Sequence, residues 1–379
     1  MTQEKFQLKY SPELDGLRGA AILSVMAFHA HAPFLKGGFI GVDAFFVLSG
    51  FLITSLLVSE YDRYISVSLK NFYMRRMLRL APALIVLLLI FCLISFLFLS
   101  YQQANRNYID SLISLFYLSN WARAFSLHPP YFLGHTWSLS IEEQFYIVWP
   151  ILLLTLLRFS SSRKVVVFFT ASLALLAWAL RVYLHMKGAT PERLYNGLDT
   201  RADALMVGCA LGVAYASGFF NKNNRKLILS KILVIISPVS ALILLTFSVI
   251  ANWRSPYMYQ FGFFAIELLT ATIVVDVMVN NKSIIKRILA TKALVWTGSI
   301  SYGLYLWHYP IYRAMFLLEM SGLVVITIGS LITFAVAALS YYFMEKPILM
   351  LKKRFAHKTP NKSIQSTSAA LRSAESADA

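Results

Sequence analysis

Residues 14–34 read LDGLRGAAILSVMAFHAHAPF, an apolar run with Arg18 near its start and His29 near its end. A hydrocarbon core roughly 30 Å thick calls for about 20 mainly apolar residues in a helix, so the run is long enough to cross one. Arg18 and His29 are eleven residues apart, close to three helical turns. That spacing places both side chains on one stripe, separated by about 16 Å of rise. Ionisable groups at membrane depth are costly and usually mark a site. The same residues therefore predict a membrane helix and a place for chemistry.

Composition carries this reading to the whole chain. Of 379 residues, 58% are hydrophobic and only 14% are charged, with mean hydropathy +0.62; soluble domains carry about 25% charged residues. Apolar runs near bilayer length recur at 14–34, 38–59, 80–100, 132–157, 165–185, 202–217, 232–250, 259–280, 294–317 and 323–343. The expected fold class is an all-α polytopic membrane protein with about ten transmembrane helices. The segment 109–120, IDSLISLFYLSN, is too short to span and reads as re-entrant or interfacial. Ala30-His31-Ala32 resembles a small-x-small cleavage site, but Glu4, Glu13 and Asp15 precede it and Arg18 interrupts the apolar stretch, so the helix is read as retained.

A net charge of +17 suits nucleic acid in principle, but its distribution favours lipid. Counting Lys and Arg in alternate segments puts 25 of the 35 on one side and seven on the other, Arg201 among the seven, while Arg18, Arg181 and Arg313 lie within spans. The positive-inside rule makes the first side cytoplasmic and, with an even number of spans, both termini cytoplasmic. Residues 351–379 are polar and basic and read as a disordered cytoplasmic tail after a membrane domain over 1–350. Cys92 and Cys209 fall in apolar spans and read as small core residues.

Orientation assigns depths. His29, His135, Glu142 and His308 converge on one outer stratum from three helices, as a buried acid–base site requires. The bland alternative for each is a polar group satisfied by a neighbouring helix. His31 and His128 lie in or beside outer loops and read as solvated, His185 as structural, and His357 belongs to the tail. A second cluster, Arg75, Arg76 and Arg79 with Lys70, sits at the cytoplasmic end of a span. It reads either as an anchor on anionic lipid or as a phosphate clamp, since guanidinium forks suit phosphate oxygens. Ser49-Gly50 within FFVLSGFLI permits close helix packing or leaves room for a slender ligand. No spacing suggests a metal site, a nucleophile elbow or a phosphate-binding loop.

Taken in order, LDGLRG with His29 eleven residues after Arg18, GFIGVDAFFVLSGFLI, RRMLR at Arg75–Arg79, HTWSLSIEEQFYIVWP and SYGLYLWHYP resemble the bacterial acyltransferase-3 family, integral membrane O-acyltransferases of surface glycans. The resemblance covers roughly residues 10–348. It implies about ten helices in the bacterial inner membrane, acyl-CoA (commonly acetyl-CoA) as a cytoplasmic donor, and a hydroxyl acceptor on a glycan or lipid-linked saccharide. It also implies roles for Arg18 and His29 in catalysis, for Arg75, Arg76 and Arg79 in donor binding, and for the stretch from Trp137 to Glu142. Many relatives carry a further extracytoplasmic hydrolase-like domain, so any second transfer step is expected to use another protein or to be absent. The combined expectation is catalysis by His29, Glu142 and Arg18, with donor phosphates on Arg75, Arg76 and Arg79 and the donor arm passing Ser49. In that scheme Glu142 orients the His29 ring. A proton-coupled transporter using the same His and Glu residues is the competing class, weakened by missing repeat symmetry. The acceptor, the acyl length and the oligomeric state are not written in the spans.

Overall fold

The computed structural model describes residues 8–160, 162–220 and 223–351, the side chains of 223–227 excepted. The predicted tail over 351–379 lies almost wholly outside these residues. Among the described residues all regular structure is helical. α1 (Pro12–His29) starts with Pro at its first turn, where no backbone donor is missed, and is followed by His31 in a left-handed turn at φ 55°. α2 (Gly41–Tyr64) continues a short 3₁₀ turn, so Gly38–Tyr64 is one long helix. α3 (Leu69–Phe98) begins at the Ser68 cap, well ahead of the span expected at 80, and so carries Arg75, Arg76 and Arg79 within it. α4 (Tyr101–Leu115) opens on a capping box formed by Ser100 and Gln103 and packs on α3. With α5 (Ser119–Ala124) it takes the place of the predicted short segment 109–120.

The chain continues through α6 (Thr136–Phe159), α7 (Arg163–Met186), α8 (Pro191–Asn196), α9 (Leu198–Ala216), α10 (Asn223–Ile250) and α11 (Phe263–Val279). The predicted span 294–317 is interrupted: two short helices, α12 (Ile284–Leu289) and α13 (Lys292–Ser299), precede α14 (Ser301–Leu317). A last helix covers Gly322–Met350.

Seven helices are long and apolar enough to cross a membrane by themselves, among the described residues. The three further spans expected from sequence correspond to α1, α9 and α14, of 18, 19 and 17 residues. Their shortfall has a physical reason. Most of α9 is buried, Arg201 and Asp203 included, whereas the candidate windows of α7, α10 and Gly322–Met350 are only 22% buried. Interior helices meet other helices rather than lipid, so they can carry charge; peripheral ones cannot.

Close approach holds the interior together. A Cβ added at Gly50 would stand 2.0 Å from the Leu205 carbonyl oxygen, and one at Gly208 2.1 Å from that of Val47, so α2 and α9 touch backbone to backbone. Beside this contact lies a fully buried ionic cluster that the sequence did not announce. Arg201 of α9 bonds Asp43 of α2, while Arg181 of α7 pairs with Asp203 at 2.5 Å and reaches Glu267 of α11 at 4.0 Å. Arg181 also donates to the carbonyl oxygens of Thr200 and Tyr259. Arg201 was expected in an outer loop; it is instead inside α9 with no exposed surface.

Candidate active site

Among the cavities that the described residues form, two hold most of the expected site residues. The first, about 610 Å³, is bordered by Arg18 of α1, Ser49 of α2, Arg76 and Arg79 of α3, Glu142 of α6 and Tyr302 of α14. Three guanidiniums from two helices thus share one space. Ser49 Oγ donates to Glu142 Oε1 at 2.6 Å, and the Arg76 guanidinium lies 3.7 Å from the centroid of the Tyr146 ring, a cation–π contact. Arg76 Nε is buried without a hydrogen-bond partner. The sequence offered two readings of Ser49-Gly50, and the residues divide them: Gly50 packs on α9 while Ser49 borders the cavity.

Arg75 does not join this group. One position from Arg76 it points elsewhere on α3 and pairs with Glu60 at 3.1 Å. Glu60 also accepts from the Ser68 backbone N–H at 3.0 Å, so this pair ties the α2–α3 turn.

The second cavity, about 1000 Å³, is bordered by His29, His135, Arg123, Trp253 and Arg313, among others. His29 stands against His308, not Glu142, so the expected His29–Glu142 partnership is replaced by a pair of imidazoles. His308 Nδ1 is 2.9 Å from the Leu304 carbonyl oxygen. A carbonyl only accepts, so Nδ1 carries the proton and Nε2 of the neutral ring is an acceptor. His29 Nδ1, 3.0 Å from that Nε2, then donates to it. The Nε2 of His29 keeps its lone pair, the form a general base needs. A backbone carbonyl one helical turn before His308 thereby sets the tautomers of two rings in succession.

His135 completes the group of rings. It is 1% exposed, stacks on Tyr309 with centroids 5.0 Å apart, and has neither ring nitrogen hydrogen-bonded. His29 meets the same Tyr309 edge-on at 4.9 Å. His135 and Glu142 were both expected within one span; Glu142 lies on α6 and His135 caps its start, and they face different cavities: His135 the second, Glu142 the first. Of the other histidines, His128 is not simply solvated, because its Nε2 lies 2.8 Å from the buried Asp110 carboxylate. His31 is exposed, with its ring against Phe316, and His185 packs on Tyr259. His357 lies outside the described residues.

Val42 and Tyr305 border both cavities. The Tyr305 hydroxyl donates to the His135 carbonyl oxygen at 2.8 Å and accepts from Ser138 Oγ at 2.6 Å, which fixes its ring at the shared wall. Sequence reading passed over Tyr305 and Tyr309 and placed Arg313 within a span without giving it a role. Their signal was present as polar side chains at successive four-residue steps of SYGLYLWHYPIYR, one face of α14.

Comparison with known proteins places the chain. A family described as an acyltransferase domain matches residues 11–343, nearly every described helix. A peptidoglycan O-acetyltransferase of Listeria monocytogenes, OatA, is 36% identical over 362 residues, covering 91% of this chain and 56% of the relative. A putative peptidoglycan O-acetyltransferase of Bacillus subtilis, YrhL, is 36% identical over 351 residues, 90% of this chain and 55% of its own length. A putative O-acetyltransferase of Staphylococcus aureus is 35% identical over 353 residues, 90% of this chain and 58% of the relative. The chain spans a little over half the length of these curated relatives. No solved structure matches. The chain belongs to the acyltransferase-3 family.

Proposed function

We propose that this family member is a membrane-embedded O-acyltransferase that moves an acyl group from cytoplasmic acyl-CoA to a hydroxyl of a cell-envelope glycan. The acetyl group is the acyl group favoured by the relatives' names, and peptidoglycan is the acceptor to assay first. The chain crosses the bacterial inner membrane about ten times, α1, α9 and α14 included, with both termini in the cytoplasm, as the loop charges favour. Coenzyme A is an anionic nucleotide on a long thin arm. Its phosphates are held by Arg18, Arg76 and Arg79, whose forks match phosphate oxygens. Glu142 holds Ser49 and offsets part of this positive charge.

The thioester reaches the wall formed by Val42 and Tyr305, and the acceptor hydroxyl enters from the histidine side. His29 Nε2 takes the hydroxyl proton as the oxygen attacks the thioester carbonyl. The new C–O bond forms, the C–S bond breaks, and the departing thiolate recovers the proton. His308 accepts from His29 Nδ1 throughout and keeps the ring oriented. The single observation that carries this reading is the Leu304–His308–His29 chain beside a cavity whose wall is shared with the arginine cavity.

The test is acyl transfer from labelled acetyl-CoA in membranes containing His29→Gln at normal protein level. Loss of a general base costs about 10²–10⁴-fold. Wild-type turnover in the variant would overturn the assignment.

A further inference from the structure

The histidine cavity holds more positive charge than base catalysis requires. None of its lining residues is acidic, although Arg123, Arg254 and Arg313 are among them. Arg254 has a partner in Glu192, 3.5 Å away, and its side chain is 65% exposed. The other two differ. Arg123 donates from Nε to Asn196 Oδ1 at 3.1 Å, and no carboxylate pairs with it among the described residues. Arg313 has no ion partner among them either, and its Nε is buried without a hydrogen bond. Its guanidinium rests on rings, 4.5 Å from the Tyr131 centroid and 5.4 Å from that of Tyr309.

These two cations flank one tyrosine. A Cβ placed on Gly134 would meet Arg123 Nη1 at 2.9 Å and the Tyr309 hydroxyl at 3.1 Å, so Arg123 lies near the phenol end while Arg313 lies near the ring. Buried donors without partners are expensive and native proteins rarely keep them idle. A half-buried guanidinium lacking an anion is a receptor for one, and a carboxylate or phosphate can take its fork two bonds at a time. Part of the lining is aromatic: Trp137, Tyr195 and Trp253 follow one another with centroids 4.7 and 5.1 Å apart. Such a strip presents flat apolar faces to a ring while a few polar groups fix its orientation, the usual division of labour in a small-molecule site.

We infer that the acceptor taken into this cavity is an anionic saccharide, its carboxylate or phosphate seated by Arg313 and Arg123 and its ring laid on the aromatic strip. This rests on the acyltransferase reading for the cavity's role, and it names the class of acceptor. Neutral saccharides with the same hydroxyls bind worse because they leave the two guanidiniums unanswered.

Binding separates the inference from the reaction. The full chain in lipid nanodiscs is titrated calorimetrically with a β-linked disaccharide ending in glucuronic acid, with the methyl ester of the same disaccharide, and with its neutral glucose analogue phosphorylated at the terminal C6. At least one acidic probe binds tenfold or more tightly than the ester, and whichever wins distinguishes carboxylate from phosphate. Arg313→Gln brings the acid-to-ester ratio within twofold of one, and Arg313→Lys restores part of it. If Arg313→Gln fails to fold, Arg123→Gln carries the same expectation, with coenzyme A binding as the check on the fold. Equal binding of acid and ester, an unchanged ratio in the arginine variants, or no binding of any probe overturns the inference. A retained preference for acid in a protein that transfers no acyl group overturns the catalytic reading alone.

Discussion

Around Arg181 and Arg201, two guanidiniums meet Asp43, Asp203 and Glu267, all without exposed surface, beside the backbone-to-backbone contact of α2 and α9. Around Arg76 and Arg79, half-buried guanidiniums border a cavity, with Glu142 bonded to a serine rather than to an arginine. Residue types are nearly the same in the two clusters and their consequences are opposite. In the closed cluster the charges answer one another and lock α2, α7, α9 and α11. In the open one they are left with capacity for something that enters. A charge inside the membrane identifies a site only where there is also space beside it.

Breaking the closed cluster has the largest expected effect. Arg201→Ala leaves Asp43 buried and unpaired, which costs about 3–5 kcal/mol and shows as a lower unfolding temperature in detergent. Replacing both members, Asp43→Leu with Arg201→Met, restores most of that loss, because a buried pair and an apolar pair of similar volume are near equal in stability. An unchanged unfolding temperature for Arg201→Ala would erase the distinction between the clusters.

The open cluster should fail differently. Arg76→Gln with Arg79→Gln removes charge-assisted bonds worth about 1.5–3 kcal/mol each to a phosphate, so KM for acyl-CoA rises about tenfold or more. Stability changes by less than about 1 kcal/mol, since neither arginine forms an ion pair within the described structure. A fall in unfolding temperature with KM unchanged would make these arginines structural. The smallest effect sharpens the contrast within one helix. Arg75→Gln loses the Glu60 pair, about 1 kcal/mol or less for an ion pair this exposed, and leaves KM for acyl-CoA within about twofold of the wild type. A tenfold KM change from Arg75 alone would return it to the donor site.

The sequence read well where a property belongs to a single helix. Run length and composition gave the all-helical class, and eleven-residue spacing put Arg18 and His29 at opposite ends of α1, one at each cavity. It read less well where a partner comes from elsewhere. Glu142 lies on α6, whose N-cap is His135, but its partner Ser49 is on α2, and the ring against His29 arrives from α14, 279 residues away. Arg75 and Arg76 are neighbours in sequence, yet one turns to Glu60 and the other to the cavity, because adjacent positions on a helix diverge by about 100°. Arg201 fell in the loop ahead of the expected span 202–217, when it lies inside α9 and is paired with Asp43.

What the sequence by itself determined is therefore the solvent of each segment: periodicity, length and charge sort helices between lipid, water and protein, and these are sums over local residues. What only the tertiary structure decided is which polar groups meet. Hydrogen bonds and ion pairs form over about 3 Å, and at that range the tautomer of His29, the unpartnered Nε of Arg313 and the closed cluster of Arg201 depend on how helices distant in sequence are packed.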